Sequence, residues 1–116
     1  MKIRIKDNSI RLRLTQTEVS ELGEKGMITS FTEFVDRPFM YSIEATGETE
    51  LSASFIENRI VVTMPKTMID ELVTTDRVGF DGQSGMVKLL VEKDFVCIDN
   101  SVEDQSDNYP NPNLKC

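Results

Sequence analysis

A chain of 116 residues, 39% apolar and 28% charged, is long enough to close one hydrophobic core without metal or disulfide staples. Its formal net charge of −7 argues against a protein coated in basic surface for nucleic acid. The chain has no histidine, which excludes Ser-His-Asp and Cys-His nucleophiles, imidazole-bound zinc and histidine acid–base catalysis.

The N-terminus, Lys2 to Lys6, alternates charge with Ile3 and Ile5 and so lacks the unbroken apolar core of a signal peptide. No apolar run approaches the roughly 20 residues that cross a bilayer. The expectation is a cytoplasmic protein with no membrane partner, its two cysteines, Cys97 and Cys116, kept reduced. After the turn residues Asp7-Asn8-Ser9, Ile10, Leu12 and Leu14 alternate with Arg11 and Arg13, which predicts a hairpin with one apolar and one basic face. With Asn8-Ser9 as the loop, Arg4 would face Arg13 and Lys6 would face Arg11. Thr15-Gln16-Thr17-Glu18 then fits a capping box, opening a short helix with Val19 and Leu22 inward and Gly23 and Gly26 as its stop.

Met27 to Phe34 and Phe39 to Ala45 read as a second hairpin turned at Asp36-Arg37-Pro38. Thr46 to Glu50 is a polar connector. Beyond it the plan repeats. Leu51 to Ile56 and Ile60 to Met64 flank Glu57-Asn58-Arg59, and Pro65 precedes a helix carrying Met68, Ile69 and Leu72. Val78 and Phe80 begin the next strand, Asp81 to Gly85 is read as its turn, and Met86 to Glu92 returns. Leu89, Leu90 and Val91 in succession suggest a strand covered on both faces. At an offset of fifty, Asn8, Ile10, Thr17, Glu21 and Leu22 meet identical residues at 58, 60, 67, 71 and 72.

The predicted fold is therefore α+β, mainly β. It is a small barrel or sandwich of two pseudo-twofold-related ββαββ repeats with two short helices. One domain would span residues 1–95, with halves 1–45 and 51–95, and residues 96–116 would form an acidic tail laid on the surface, anchored by Tyr109.

Two resemblances add to this reading. Ile60-Val61-Val62-Thr63-Met64-Pro65-Lys66-Thr67-Met68-Ile69-Asp70-Glu71-Leu72, with Val78-Gly79-Phe80-Asp81 beyond, resembles the AbrB/MazE-type swapped-hairpin transcription factors. The first half resembles that family less, with Thr15-Gln16 where the family has Pro-Lys. The resemblance implies two units whose hairpins interleave into one small barrel, both within this chain. Val91-Glu92-Lys93-Asp94-Phe95-Val96-Cys97 and Asn108-Tyr109-Pro110-Asn111-Pro112, with the opening Ile3 to Leu12, look like an uncharacterised family of short bacterial proteins. That resemblance spans nearly the whole chain and implies no function.

Chemistry narrows to two sets of residues. Lys2, Arg4, Lys6, Arg11 and Arg13 form a basic ladder suited to nucleic acid or another anion. The same ladder could instead be solvated, or answered internally by the acidic stretch Asp99–Asp107. Cys97 and Cys116 with Asp99 and Asp104 could hold a zinc ion, although no Cys-x-x-Cys pair supports it. The expected function is a non-enzymatic binding or regulatory module acting on a protein partner, as monomer or homodimer. The alternatives are an AbrB/MazE-like DNA-binding regulator and a small metal-binding protein.

Overall fold

Among the described residues two hold left-handed backbone outside glycine, Asp7 at φ 50 and Glu57 at φ 56. Each opens a two-residue loop, and each loop joins an antiparallel pair. These pairs are β1 (Lys2–Lys6) with β2 (Ser9–Leu14), and β5 (Ser52–Ile56) with β6 (Arg59–Pro65). Helix α1 (Gln16–Lys25) follows the first, and α2 (Lys66–Thr74) the second. Each helix feeds a further hairpin: β3 (Met27–Glu33) with β4 (Pro38–Thr46), and β7 (Gly79–Ser84) with β8 (Val87–Lys93). The structure, a computed structural model, describes residues 1–96 and 105–110.

The hairpins are exchanged between the halves. One four-stranded sheet runs β1-β2-β8-β7 and the other β3-β4-β6-β5, each joined at its centre by a parallel pair. The two sheets are copies of one plan. Ser9 stands opposite Lys88 in the first sheet, and its repeat mate Arg59 opposite Met40 in the second. The Lys88 amide donates to Asn8 O at 2.8 Å, and the Met40 amide donates to Asn58 O at 3.1 Å. The repeat thus maps an individual hydrogen bond of one sheet onto its mate in the other, with the acceptors fifty residues apart and the donors forty-eight.

The core obeys the same symmetry. Leu12, Leu14, Val19 and Leu22 are buried, and so are their mates Val62, Met64, Ile69 and Leu72. Ile28 and Ile43 match Phe80 and Val91 through the equivalent hairpins, and all of these residues belong to one apolar cluster. Burying each such side chain is worth about 1.5–3 kcal/mol, so one continuous core holds both halves. The helices meet at Gly23, where an added Cβ would stand 2.9 Å from Val73 Cγ2. Gly23 and Val73 are themselves repeat mates. A residue that meets its own mate lies at the twofold axis of an isologous contact.

The helix ends differ between the halves. Thr15 and Glu18 form the predicted capping box, and Gly26 at φ 75 closes α1 with its amide donating to Leu22 O. Pro65 gives α2 no side-chain cap. At its other end, the Thr74 and Thr75 hydroxyls donate to the carbonyls of Asp70 and Glu71.

Four expectations need correction. The first loop is Asp7-Asn8, so Lys2 faces Arg13, Arg4 faces Arg11 and Lys6 faces Ser9. The reason is turn chemistry: the left-handed position falls on Asp7, whose short polar side chain tolerates it. Helix α1 runs through Gly23, because the space that glycine leaves is taken by Val73 rather than by a turn. Strand β7 continues through Asp81, Gly82 and Gln83, which pair with Leu90, Leu89 and Lys88. Its turn is therefore pushed to Gly85-Met86, with Gly85 at φ 60. Leu90 is only half-buried, so β8 is central but covered by core on one face alone.

Gly79 lies against the neighbouring strand so closely that a Cβ there would sit 2.5 Å from Val91 O and 2.7 Å from Glu92 Cβ. Gly79→Ala must push β7 away from β8 and should cost about 1–3 kcal/mol. Gly47→Ala, where nothing lies within 4 Å, should stay within about 0.5 kcal/mol. Urea unfolding midpoints of the two variants check this; an unchanged midpoint for Gly79→Ala would contradict the contact.

Candidate functional site

Alternation along the strands assigns each sheet an inner face toward the core and an outer face. On the first sheet the outer face carries Lys2, Arg4 and Lys6 from β1, Ser9, Arg11 and Arg13 from β2, Lys88, Leu90 and Glu92 from β8, and Gly79, Asp81 and Gln83 from β7. All five bases of the predicted ladder therefore share one surface, and Lys88 joins them. Two like-charged pairs face each other directly, Lys2 with Arg13 and Arg4 with Arg11, an arrangement that destabilises a strand pair unless anions answer it.

Part of the answer lies in the protein. Glu92 Oε1 accepts a hydrogen bond from Arg13 Nε at 3.1 Å and pairs with Arg11 Nε at 3.2 Å, so one carboxylate serves two guanidinium groups. Lys2 Nζ reaches Asp94 Oδ2 at 2.8 Å. Among the described residues no carboxylate pairs with Arg4, Lys6 or Lys88. Arg4, Lys6, Ser9 and Arg11 surround a hollow of about 170 Å³ beside Leu90.

Of the acidic residues in Asp99–Asp107, one possible internal answer to the ladder, only Asp107 is described. Asp107 turns to α1, where its carboxylate accepts from the Thr17 hydroxyl at 3.0 Å and lies 3.3 and 3.4 Å from the Thr17 amide. Helix N-termini present unpaired amides and favour negative charge. Asp107 is therefore held at the N-terminal end of α1. Asp99 and Asp104 lie outside the described residues.

The outer face of the second sheet has the opposite chemistry. Where the first has Lys2, Arg4, Arg11 and Arg13, the second has Ser52, Ser54, Val61 and Thr63, with the Ser52 and Thr63 hydroxyls hydrogen-bonded to each other. One row across this sheet reads Phe31, Met40, Arg59, Ile56. Phe31 is 58% exposed and Ile56 55%. The β3–β4 turn beyond Phe31 adds Phe34 and Val35, both exposed. Sequence reading places Phe31, Phe34, Met40 and Ile56 in strands and Arg59 in a turn but finds no face for them, because the row forms only when four strands from both halves align.

Residues 105–110 form a strap. Asp107 O accepts from the Gln16 amide at 3.0 Å, Asn108 O accepts from Gln16 Nε2 at 3.1 Å, and the Tyr109 amide donates to Asp94 O at 2.8 Å. Tyr109 packs on Phe95, and Lys93 Nζ stands 4.9 Å from the centre of its ring. Lys93 is buried and donates to Thr75 O at 2.9 Å.

Cys97 and Cys116 lie outside the described residues, as do their proposed partners Asp99 and Asp104. Among the described residues no three carboxylate or thiol groups gather as a metal site. None of the described helices is long and apolar enough to cross a membrane.

A model for a family of unknown function, DUF7009, matches residues 1–113. No curated protein and no solved structure matches the chain.

Tyr109 reports on the seating of the strap. Burial, and after it the Asp107 carboxylate, push its phenol above the ordinary value of 10.0. A raised folded pKa means that Tyr109 stabilises the seat below pH 10 and that this contribution is lost as pH rises through the folded value. In a Tyr41→Phe chain, where Tyr109 is the remaining one of two tyrosines, ultraviolet titration should give a midpoint above about 10. Asp107→Asn should lower that midpoint. A midpoint at the ordinary value would contradict the seating.

Proposed function

Because the chain belongs to DUF7009, a family of unknown function whose membership supplies no activity, we propose that the protein is a non-enzymatic binding module acting through protein contacts. One observation carries this reading. The row Phe31, Met40, Arg59, Ile56 of the second sheet has as its symmetry mates Gln83, Lys88, Ser9 and Lys6 of the first. Mates share one backbone environment, so the fold itself does not demand Phe31, Met40 and Ile56 where the first sheet has Gln83, Lys88 and Lys6; only at Arg59 against Ser9 does the charge run the other way. Exposed aromatic and branched residues gathered in a row cost solubility and mark protein contact surfaces. The chain's lack of histidine supports a non-enzymatic role.

A second reading, the AbrB/MazE-like DNA regulator, draws support from Lys88, which carries the basic surface across three strands. Against it stand the single basic face and the net charge of −7.

The test compares chemical cross-linking in cell extract for the native chain, for Phe31→Glu with Ile56→Glu, and for Glu24→Lys as a surface control. The double variant should keep its stability within about 1 kcal/mol, since both side chains are exposed. It should lose cross-linked partners that the native and control chains retain. Identical partners from all three chains would overturn the reading.

A further inference from the structure

We propose that the outer face of the first sheet is a docking surface for an acidic, extended protein segment, centred on Arg4, Lys6 and Arg11 with Lys88 beside them. This names the partner chemistry of one face and rests on the reading of the protein as a binding module.

The argument begins with charge that the protein itself leaves unanswered. Six bases share this face, and Glu92 and Asp94 answer Lys2, Arg11 and Arg13 at one end of it. At the other end, Arg4, Lys6 and Lys88, in the Arg4–Arg11 pair and the row Lys6, Ser9, Lys88, form no ion pair among the described residues, although Asp81 of β7, opposite Leu90, shares the face. Arg11 reaches Glu92 only as one of two guanidinium groups on the same oxygen. An incoming carboxylate between Arg4 and Arg11 would relieve their repulsion, and the hollow they enclose with Lys6 and Ser9 is of a size for one such group.

Spacing points to a peptide. Bases two residues apart on β1 recur every 6.8 Å or so, about the same repeat as the same-face side chains of an extended chain laid along the sheet. A segment with an acidic residue at every second position would set its carboxylates on the bases, while the apolar residues between them point away from the sheet.

Nucleic acid fits less well. The face has no aromatic side chain on which a base could stack. The net charge of −7 opposes a polyphosphate over long range more than it opposes a short peptide with a few carboxylates.

The experiment uses the full chain and a fluorescent peptide of alternating glutamate and valine, read by anisotropy at low and at physiological salt. Peptide binding should weaken as salt rises and should fall at least about tenfold in Arg4→Glu with Arg11→Glu. Glu92→Gln, which removes the internal counter-charge, should strengthen binding. If the double variant does not fold, Arg4→Ala with Lys6→Ala, both at exposed positions, reads the same loss. No binding at low salt, unchanged binding in the variants, or tighter binding of a DNA duplex than of the peptide would each overturn the proposal. The Phe31 and Ile56 variants test the other face, so failure of the peptide leaves the module reading standing or falling on its own result.

Discussion

Neither half of this protein can complete a sheet from its own strands. The two parallel pairings, β2 against β8 and β4 against β6, join strands from opposite halves at the centre of each sheet. Every hairpin has one edge that can be satisfied only by a hairpin from the other repeat. Unpaired backbone groups in a buried strand are costly, so the halves form together or not at all. Parallel pairs also need a long connection. For β2 and β8 the chain supplies it with α1 through β7, and for β4 and β6 with β5.

That frame separates two kinds of constraint. Inner-face residues are bound to the shared core, and their mates agree in character: Leu12 with Val62, Val19 with Ile69, Ile43 with Val91. Where the helices cross, mates differ for a steric reason, since Gly23 makes room for Val73 at the axis. Outer-face residues are free of both demands. There the mates part company most, Arg11 with Val61 and Lys6 with Ile56. Divergence concentrates where the fold does not need agreement, which is also where a partner would read it.

Electrostatics follows the same division. A single carboxylate shared by Arg11 and Arg13 at 3.2 and 3.1 Å is a partly exposed arrangement, and pairs of this kind contribute about 0–1 kcal/mol. Its effect is less on stability than on where the remaining positive charge stands. By drawing Arg13 and part of Arg11 to one end, Glu92 leaves the other end of the face to Arg4, Lys6 and Lys88. The buried Lys93, in contrast, is satisfied by a backbone carbonyl and an aromatic ring and faces no solvent anion.

Local chemistry was legible in the residues. The Thr15–Glu18 capping box, the Gly26 stop, the alternation of the strands, the fifty-residue repeat and the basic ladder on one side of the first hairpin all depend on neighbours within a turn or a strand pair. The loop register at Asp7-Asn8, the passage of α1 through Gly23 and the extension of β7 were misjudged for one reason: each is decided by a partner distant in sequence, or by which of adjacent polar residues takes a left-handed angle. Nor could the sequence place Lys88 and Glu92 beside Arg11, or align Phe31 with Ile56, since those neighbours arise only when strands of opposite halves exchange. Side-chain pattern within a strand fixes which face a residue takes; only the pairing of strands fixes what stands next to it there.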